Sequence, residues 1–246
     1  MYRFYVEEEQ ISEKQITIEG SDVNHIRNVL RLQPGEWVVV CDGGGKDYYC
    51  LIEEIAREAV LLSVQKIQDT GTELPSRIVL FQGLPKKDKM EFIIQKAVEL
   101  GVCQVVPVMT KRSVVKLNDA GKIKKKTERW QTIAEAAAKQ CDRGIIPEVK
   151  EPVTLKEALL LAKDLAYNLI PYELAEGKKD SRKIIKEAVQ APSIGIFIGP
   201  EGGFEKEEVE LAMQQGCHPV TLGKRILRTE TAGMVVLSIL MFEMEE

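Results

Sequence analysis

The stretch FIGPEGGFEKEE, Phe197 to Glu208, passes from an apolar, strand-like segment through a glycine-rich turn into a charged, helix-prone one. That order suits ligand binding, because glycine lets a backbone approach closely and a helix start presents free N–H groups. Both phosphate signatures are missing: no G-x-x-x-x-G-K-[ST] loop and no G-x-G-x-x-G fingerprint follows Gly199. Glu201, Glu205, Glu207 and Glu208 crowd the helix start instead. Acidic residues are stable there against the helix dipole, but they repel a bound anion. The turn therefore calls for a ligand that is neutral or positive where it meets the loop.

Outward from this stretch, strands alternate with helices. RIVLFQGL (77–84), CQVVPVM (103–109), AYNLIPYE (166–173), SIGIFIG (193–199) and HPVTLG (218–223) read as strands. Helices are expected between them. One is opened by an Asp88/Glu91 capping box, and a long one runs from Asn118 or Asp119 to Gly144 with a stripe through Ile123, Thr127, Trp130, Ala134, Ala137 and Cys141. A Thr154/Glu157 capping box opens another through Ala162, and the last runs from Thr229 to Met244. Helical crossovers make strands parallel, so an α/β fold with a parallel sheet is expected over residues 73–246.

Residues 1–72 read differently. YRFYV, QITIE, AVLLSVQKI and a hairpin turning at Asp42–Gly45 form a small β-rich domain, interrupted by one helix from Ser21 to Leu32 with Ser21 or Asp22 as N-cap. Gln68 to Ser76 is the expected linker. The net charge of −4 is unevenly placed: residues 1–72 hold 7 Lys/Arg against 13 Asp/Glu, whereas Lys86 to Arg129 holds 12 against 5. The basic segment suits either a phosphate backbone or water. Five scattered cysteines with no C-x-x-C pair and only two histidines leave a disulfide framework or a metal site without its usual ligands. The apolar runs fall short of the roughly 18 residues of a membrane span. The opening MYRFYVEEEQ lacks the pattern of a signal peptide, so a cytoplasmic location is expected.

Three strand ends carry special residues: Ile170-Pro171-Tyr172-Glu173, Ile198 to Gly203, and Leu222-Gly223-Lys224-Arg225. In a parallel sheet those ends share one edge, outside which ligands bind. S-adenosylmethionine, a sulfonium without phosphate, suits a pocket there whose loop is acidic. Turn chemistry alone explains any one of the loops.

IGPEGGF (198–204) followed by LGKRILRTETA (222–232) resembles the bacterial small-subunit (16S) ribosomal RNA uridine N3-methyltransferase family of the SPOUT class. HIRNVLRLQPGE (25–36), KAVELGV (96–102), TKRSV (110–114) and ERWQTIAEAAAKQ (128–140) extend the resemblance over most of the chain. It implies a PUA-like RNA-binding β-barrel domain over 1–72 and a SPOUT methyltransferase domain over 73–246. It also implies a C-terminal trefoil knot, a homodimer, and S-adenosylmethionine as methyl donor to 16S rRNA of the small ribosomal subunit. Carried over by position, Leu169, Pro171, Tyr172, Ile198, Gly199, Pro200, Gly202, Leu222, Gly223, Ile226 and Leu227 hold the cofactor, with Arg228, Thr229 and Glu230 near the transferred methyl.

N3 of uracil is an imide nitrogen, so methyl transfer requires losing its proton or stabilising the anion that results. Arg228 is the expected cation. Glu201 or Glu230 is either the base or half of an ion pair that fixes the loop, and solvent hydroxide is a further acceptor. RNA contacts are expected from Arg3, His25, Arg27 and Arg31 in the first domain and Lys111, Arg112 and Arg143 in the second. Tyr172 or Phe204 either stacks on an extruded base or packs its loop. A SPOUT enzyme acting on another RNA and a non-catalytic RNA-binding assembly protein remain as alternatives.

Overall fold

The computed structural model describes residues 1–113, 119–172 and 178–245, the side chains of 178 and 179 excepted. Two compact units divide the chain: Met1–Glu73 with Ala138–Ile146, and Leu74–Ala137 with Pro147–Glu246.

The first unit is a five-stranded sheet in the order β1-β3-β4-β5-β2, formed by β1 (Tyr2–Tyr5), β2 (Gln15–Glu19), β3 (Trp37–Cys41), β4 (Lys46–Ile55) and β5 (Ala59–Asp69). Alternation decides its buried face: Ile16 and Ile18 of β2, Val38 and Val40 of β3, and Cys50 and Ile52 of β4 point into one core. At the β3–β4 turn Asp42 Oδ1 accepts from the amides of Gly44 (2.7 Å) and Lys46 (3.1 Å), and Gly43 and Gly45 take positive φ.

The single helix expected from Ser21 to Leu32 is instead one α-turn, α1 (Ser21–Asn24), followed by a π-helical stretch, His25–Leu30. Arg31 ends it at φ 56°, and Leu32 N donates to Ile26 O at 3.1 Å. Burial of Leu32 explains the change, because an α-helix carried through would turn that side chain away from the face of Val23 and Ile26. The chain enters α1 from Gly20, and neither Ser21 nor Asp22 is the N-cap. Ala138–Ile146 completes this unit, with Tyr5 OH donating to Arg143 O and Gly45 N to Gly144 O (2.9 Å).

The second unit is a seven-stranded, all-parallel sheet. Its elements run β6 (Arg77–Gly83), α2 (Lys89–Glu99), β7 (Gln104–Met109), α3 (Ala120–Gln140), β8 (Glu148–Val149), β9 (Val153–Thr154), α4 (Leu155–Leu161), β10 (Tyr167–Pro171), α5 (Lys178–Ala188), β11 (Ser193–Ile198), α6 (Lys206–Gln214), β12 (Cys217–Val220) and α7 (Thr229–Met244). The sheet order is β12-β10-β11-β6-β7-β8, with β9 also on β7. Central strands β6 and β11 are apolar on both faces, as a sheet covered on two sides requires, and Phe81 stacks on Phe197 at 4.4 Å. These neighbours connect in opposite directions, β6 to β7 on one side and β11 to β12 on the other. Such a switch point opens a crevice at the carboxyl ends of the strands.

The Thr154/Glu157 capping box forms reciprocally, with Glu157 N on Thr154 Oγ1 (3.3 Å) and Thr154 N on Glu157 Oε2 (2.7 Å). That of Asp88 and Glu91 does not. Asp88 lies outside the extended conformation an N-cap needs, and the Glu91 carboxylate turns to Arg129 at 2.8 Å. Asp119 caps α3 through Lys122 N (2.7 Å), whereas Asn118 falls outside the described residues. The helix stops at Gln140, short of Gly144, because the chain turns at Asp142 with φ 56°. The helix after Thr154 tightens into a 3-10 turn, Ala162–Asp164, and β8 and β9 are short strands that periodicity did not mark.

Candidate methyl-donor site

At the switch point the three special strand ends meet. A cleft of about 280 Å³ is lined by Tyr172, Ile198, the loop Gly199–Phe204, Leu227 and Thr229. It shares Pro171, Tyr172, Ile226 and Leu227 with a smaller hollow of about 80 Å³ walled by Leu222, Gly223 and Arg225. The structure thus brings together every residue expected at the cofactor except Leu169, which is fully buried within β10 beside Ile196. Glu173 falls outside the described residues. A wider hollow of about 570 Å³ lies between α5, β12 and α7 and is lined by the β12 strand end, Val220 to Gly223, but by neither the Gly199–Gly203 loop nor Tyr172.

Close packing explains Gly199 and Gly83, and positive φ explains Gly203 and Gly223. A Cβ on Gly199 would stand 3.0 Å from Gly203 backbone, and one on Gly83 would stand 2.6 Å from Pro200. Thr229, at the start of α7, ties the edge together: its Oγ1 donates to Gly199 O (2.6 Å) and accepts from Gln82 Nε2 (2.9 Å). Gln82 is completely buried in β6. A polar side chain in an otherwise apolar strand run was the available signal for it.

The four glutamates are all engaged within the protein. Glu201 Oε1 accepts from Lys86 N (3.0 Å) and lies 3.3 Å from Lys89 Nζ. Glu205 is held by Arg112 in two parallel bonds of 2.9 and 3.0 Å. Glu208 accepts from the amides of Glu205 and Lys111, each at 2.8 Å, and Glu207 approaches Lys111 Nζ at 3.4 Å. Partial burial pushes the Glu201 carboxyl up, but the backbone N–H donors and Lys89 outweigh it and hold the group below the ordinary glutamate range. Arg112 does the same for Glu205. The acidic loop is therefore matched by cations and backbone amides of the protein itself.

Arg228 sits at the N-cap position of α7, exposed, and forms no ion pair among the described residues. Glu230, one residue into α7, shares Lys89 with Glu201 at 3.3 Å. Nothing in the sequence marks Lys89, since a lysine in the lysine-rich stretch 86–89 carries no distinguishing pattern. The residues expected to meet RNA separate into groups. His25, Arg27 and Arg31 are exposed on the π-helical stretch and its end, but Arg31 follows the helix in a left-handed conformation and does not continue the face of Arg27. Arg3 pairs with Asp47 and donates to Asp142 O (2.6 Å), and Arg143 is buried against Glu73. Lys111 and Arg112 are anchored to the glutamates of the glycine loop, Arg112 also through Gly202 O at 2.6 Å.

The cleft fits S-adenosylmethionine in kind. Leu222, Ile226 and Leu227 offer apolar walls, Ile226 being 86% exposed, and the glycine turn offers open backbone. Among the described residues, no cluster of cations lines it.

Known proteins share this construction. Residues 72–241 match the model of an RNA methyltransferase domain, and residues 18–65 that of an RNA methyltransferase PUA domain. The chain is 36% identical to the ribosomal RNA small subunit methyltransferase E of Bacillus subtilis, over 100% of this chain and 98% of that protein. It is 34% identical to the protein of the same name from Aquifex aeolicus, over 98% and 99%. The crystal structure of the Neisseria gonorrhoeae ribosomal RNA small subunit methyltransferase E bound to S-adenosyl methionine superposes with a TM-score of 0.82 at 32% identity, covering 99% of this chain and 98% of that one. With its parallel-sheet methyltransferase unit, its β-rich PUA unit and full-length relatives of one name, this chain belongs to the ribosomal RNA small subunit methyltransferase E family of RNA methyltransferases.

Proposed function

We propose that the protein transfers a methyl group from S-adenosylmethionine to N3 of a uridine in the 16S RNA of the small ribosomal subunit, in the cytoplasm. The observation that carries this reading is the convergence of the three strand-end loops on a cleft whose acidic loop is already compensated from within. Pro171, Tyr172, Ile198 to Gly203, Leu222, Gly223, Ile226 and Leu227 hold the cofactor, which when bound supplies an electrophilic methyl. Arg228, free of internal partners among the described residues, holds negative charge on the uracil oxygens as the imide proton leaves. A carboxylate kept below its ordinary pKa is a weak base, so Glu201 acts as an ion-pair partner and solvent takes the proton. His25, Arg27 and Arg31 meet the RNA backbone. The knotted path of the C-terminal segment and a homodimer belong to the same reading. Helix α7 is apolar around its circumference, with Ile239 and Phe242 exposed as a face for a second copy.

The test is transfer of labelled methyl from S-adenosylmethionine to small subunits that lack their own modification, followed by nucleoside analysis. The expected result is 3-methyluridine that is lost with Arg228→Ala. Retained cofactor binding without transfer to subunits or free ribosomal RNA would sink the uridine assignment.

A further inference from the structure

Lys89 begins α2 directly after the β6–α2 loop, and its ammonium lies 3.3 Å from Glu201 of the glycine loop and 3.3 Å from Glu230 of α7. One cation thus joins the loop after β6, the loop after β11 and the start of the last helix. All three side chains are partly exposed, at 31%, 28% and 17%, so the ammonium keeps some solvation while bridging two carboxylates. The bridge lies beside a second fastening. Lys86 N donates to the same Glu201 Oε1, and Gly83 packs directly on Pro200. Without the ammonium, two ionised carboxylates would face each other beside the cleft, and like charges at that range repel.

We propose that Lys89 is a positioning residue for the methyl-donor cleft: by bridging Glu201 and Glu230 it holds the glycine loop and the start of α7 in register for cofactor binding. This rests on the reading of the cleft given above. Lys89 does not line the cleft and acts only through the two carboxylates. Its role is electrostatic, so another cation of similar reach replaces it and neutral carboxylates make it dispensable.

The experiment uses the full chain as wild type, Lys89→Met, Lys89→Arg, Glu201→Gln/Glu230→Gln and the triple variant. S-adenosylmethionine affinity is measured by calorimetry, and hydrogen exchange is followed at the amides of Gly199 and residues 201–204. In Lys89→Met the affinity is expected to fall roughly tenfold and loop exchange to rise by about the same factor, the usual scale for losing a charged hydrogen bond. Lys89→Arg should restore both to within about threefold, and adding Lys89→Met to the double glutamine variant should change little, since coupled residues are not additive. Unchanged affinity and loop exchange in Lys89→Met would overturn the proposal, as would an equal loss on the glutamine background. If wild type binds no S-adenosylmethionine, the cofactor reading fails, and loop exchange still decides whether Lys89 holds the loop.

Discussion

The ion pairs of the two units are built for opposite purposes. In the first unit Arg143 is buried against Glu73, which also accepts from the amides of Gly144 (3.0 Å) and Ile145 (3.2 Å), and Arg3 is sunk beside Asp47. In the second, Lys89, Arg112, Glu201, Glu205 and Glu230 are partly exposed and gather around one loop. Burial makes the difference. A desolvated charge must keep its partner, whereas a half-solvated one is held weakly enough to orient a loop. The first arrangement closes Ala138–Ile146 onto its unit; the second shapes a binding edge.

The largest effect should come from breaking the buried pair. Glu73→Gln removes the carboxylate charge from the buried pair with Arg143, and removing one partner of a buried pair costs about 3–5 kcal/mol. Thermal unfolding, followed by hydrogen exchange in residues 138–146, should show a destabilised first unit with little change in amides of β6 and β11. If stability is kept, the buried pair does not hold the segment and the contrast collapses. A smaller loss is expected from Thr229→Val, nearly isosteric but stripped of the hydroxyl that joins Gln82 to Gly199. A buried group left unsatisfied costs about 1–3 kcal/mol. Cofactor affinity should fall together with the melting temperature, which separates this fastening from the Lys89 bridge.

These fastenings also divide what was legible in the sequence from what was not. Strand-helix alternation, the Thr154/Glu157 box and the Phe197–Glu208 turn carry their physics locally, so the parallel sheet and the edge bearing the site could be read from periodicity and glycine spacing. The π-helical stretch could not, because it answers to the burial of Leu32, a tertiary demand. The partners of the glutamates were equally hidden: Lys86, Lys89, Lys111 and Arg112 lie 90 or more positions away from the residues they hold. The same ignorance of partners grouped Arg3 and Arg143 with the surface arginines, since an arginine does not advertise whether it will be buried.

Acid should weaken the fastening of the glycine loop. Glu201 and Glu205 are held below their ordinary pKa, so their contribution is present above the unfolded value of about 4.3 and is lost as pH falls through the lower folded values. Loop exchange, corrected for the intrinsic pH dependence of exchange, should be flat above about pH 5.5 and rise below about pH 4. A rise centred near neutrality would point to a different titrating group and remove these carboxylates as the cause.

The smallest effect on stability should come from Arg27 and Arg31, and it makes the sharpest contrast with Arg3 and Arg143, the same residue type within one unit. Both are exposed, and their expected task lies outside the protein. Substituting either by alanine should change unfolding by no more than about 0.5 kcal/mol, the usual range for surface positions. If they neutralise phosphates, each loss should lower the salt slope of RNA binding by about one counterion and weaken binding across sequences alike. Arg3→Ala is the control with the reverse signature: stability falls because the buried Asp47 loses its partner, while the salt slope of the folded fraction stays as it was. Should Arg27→Ala and Arg31→Ala leave the salt slope untouched, the exposed arginines merely face water, and RNA would have to reach the cleft by contacts on the second unit alone.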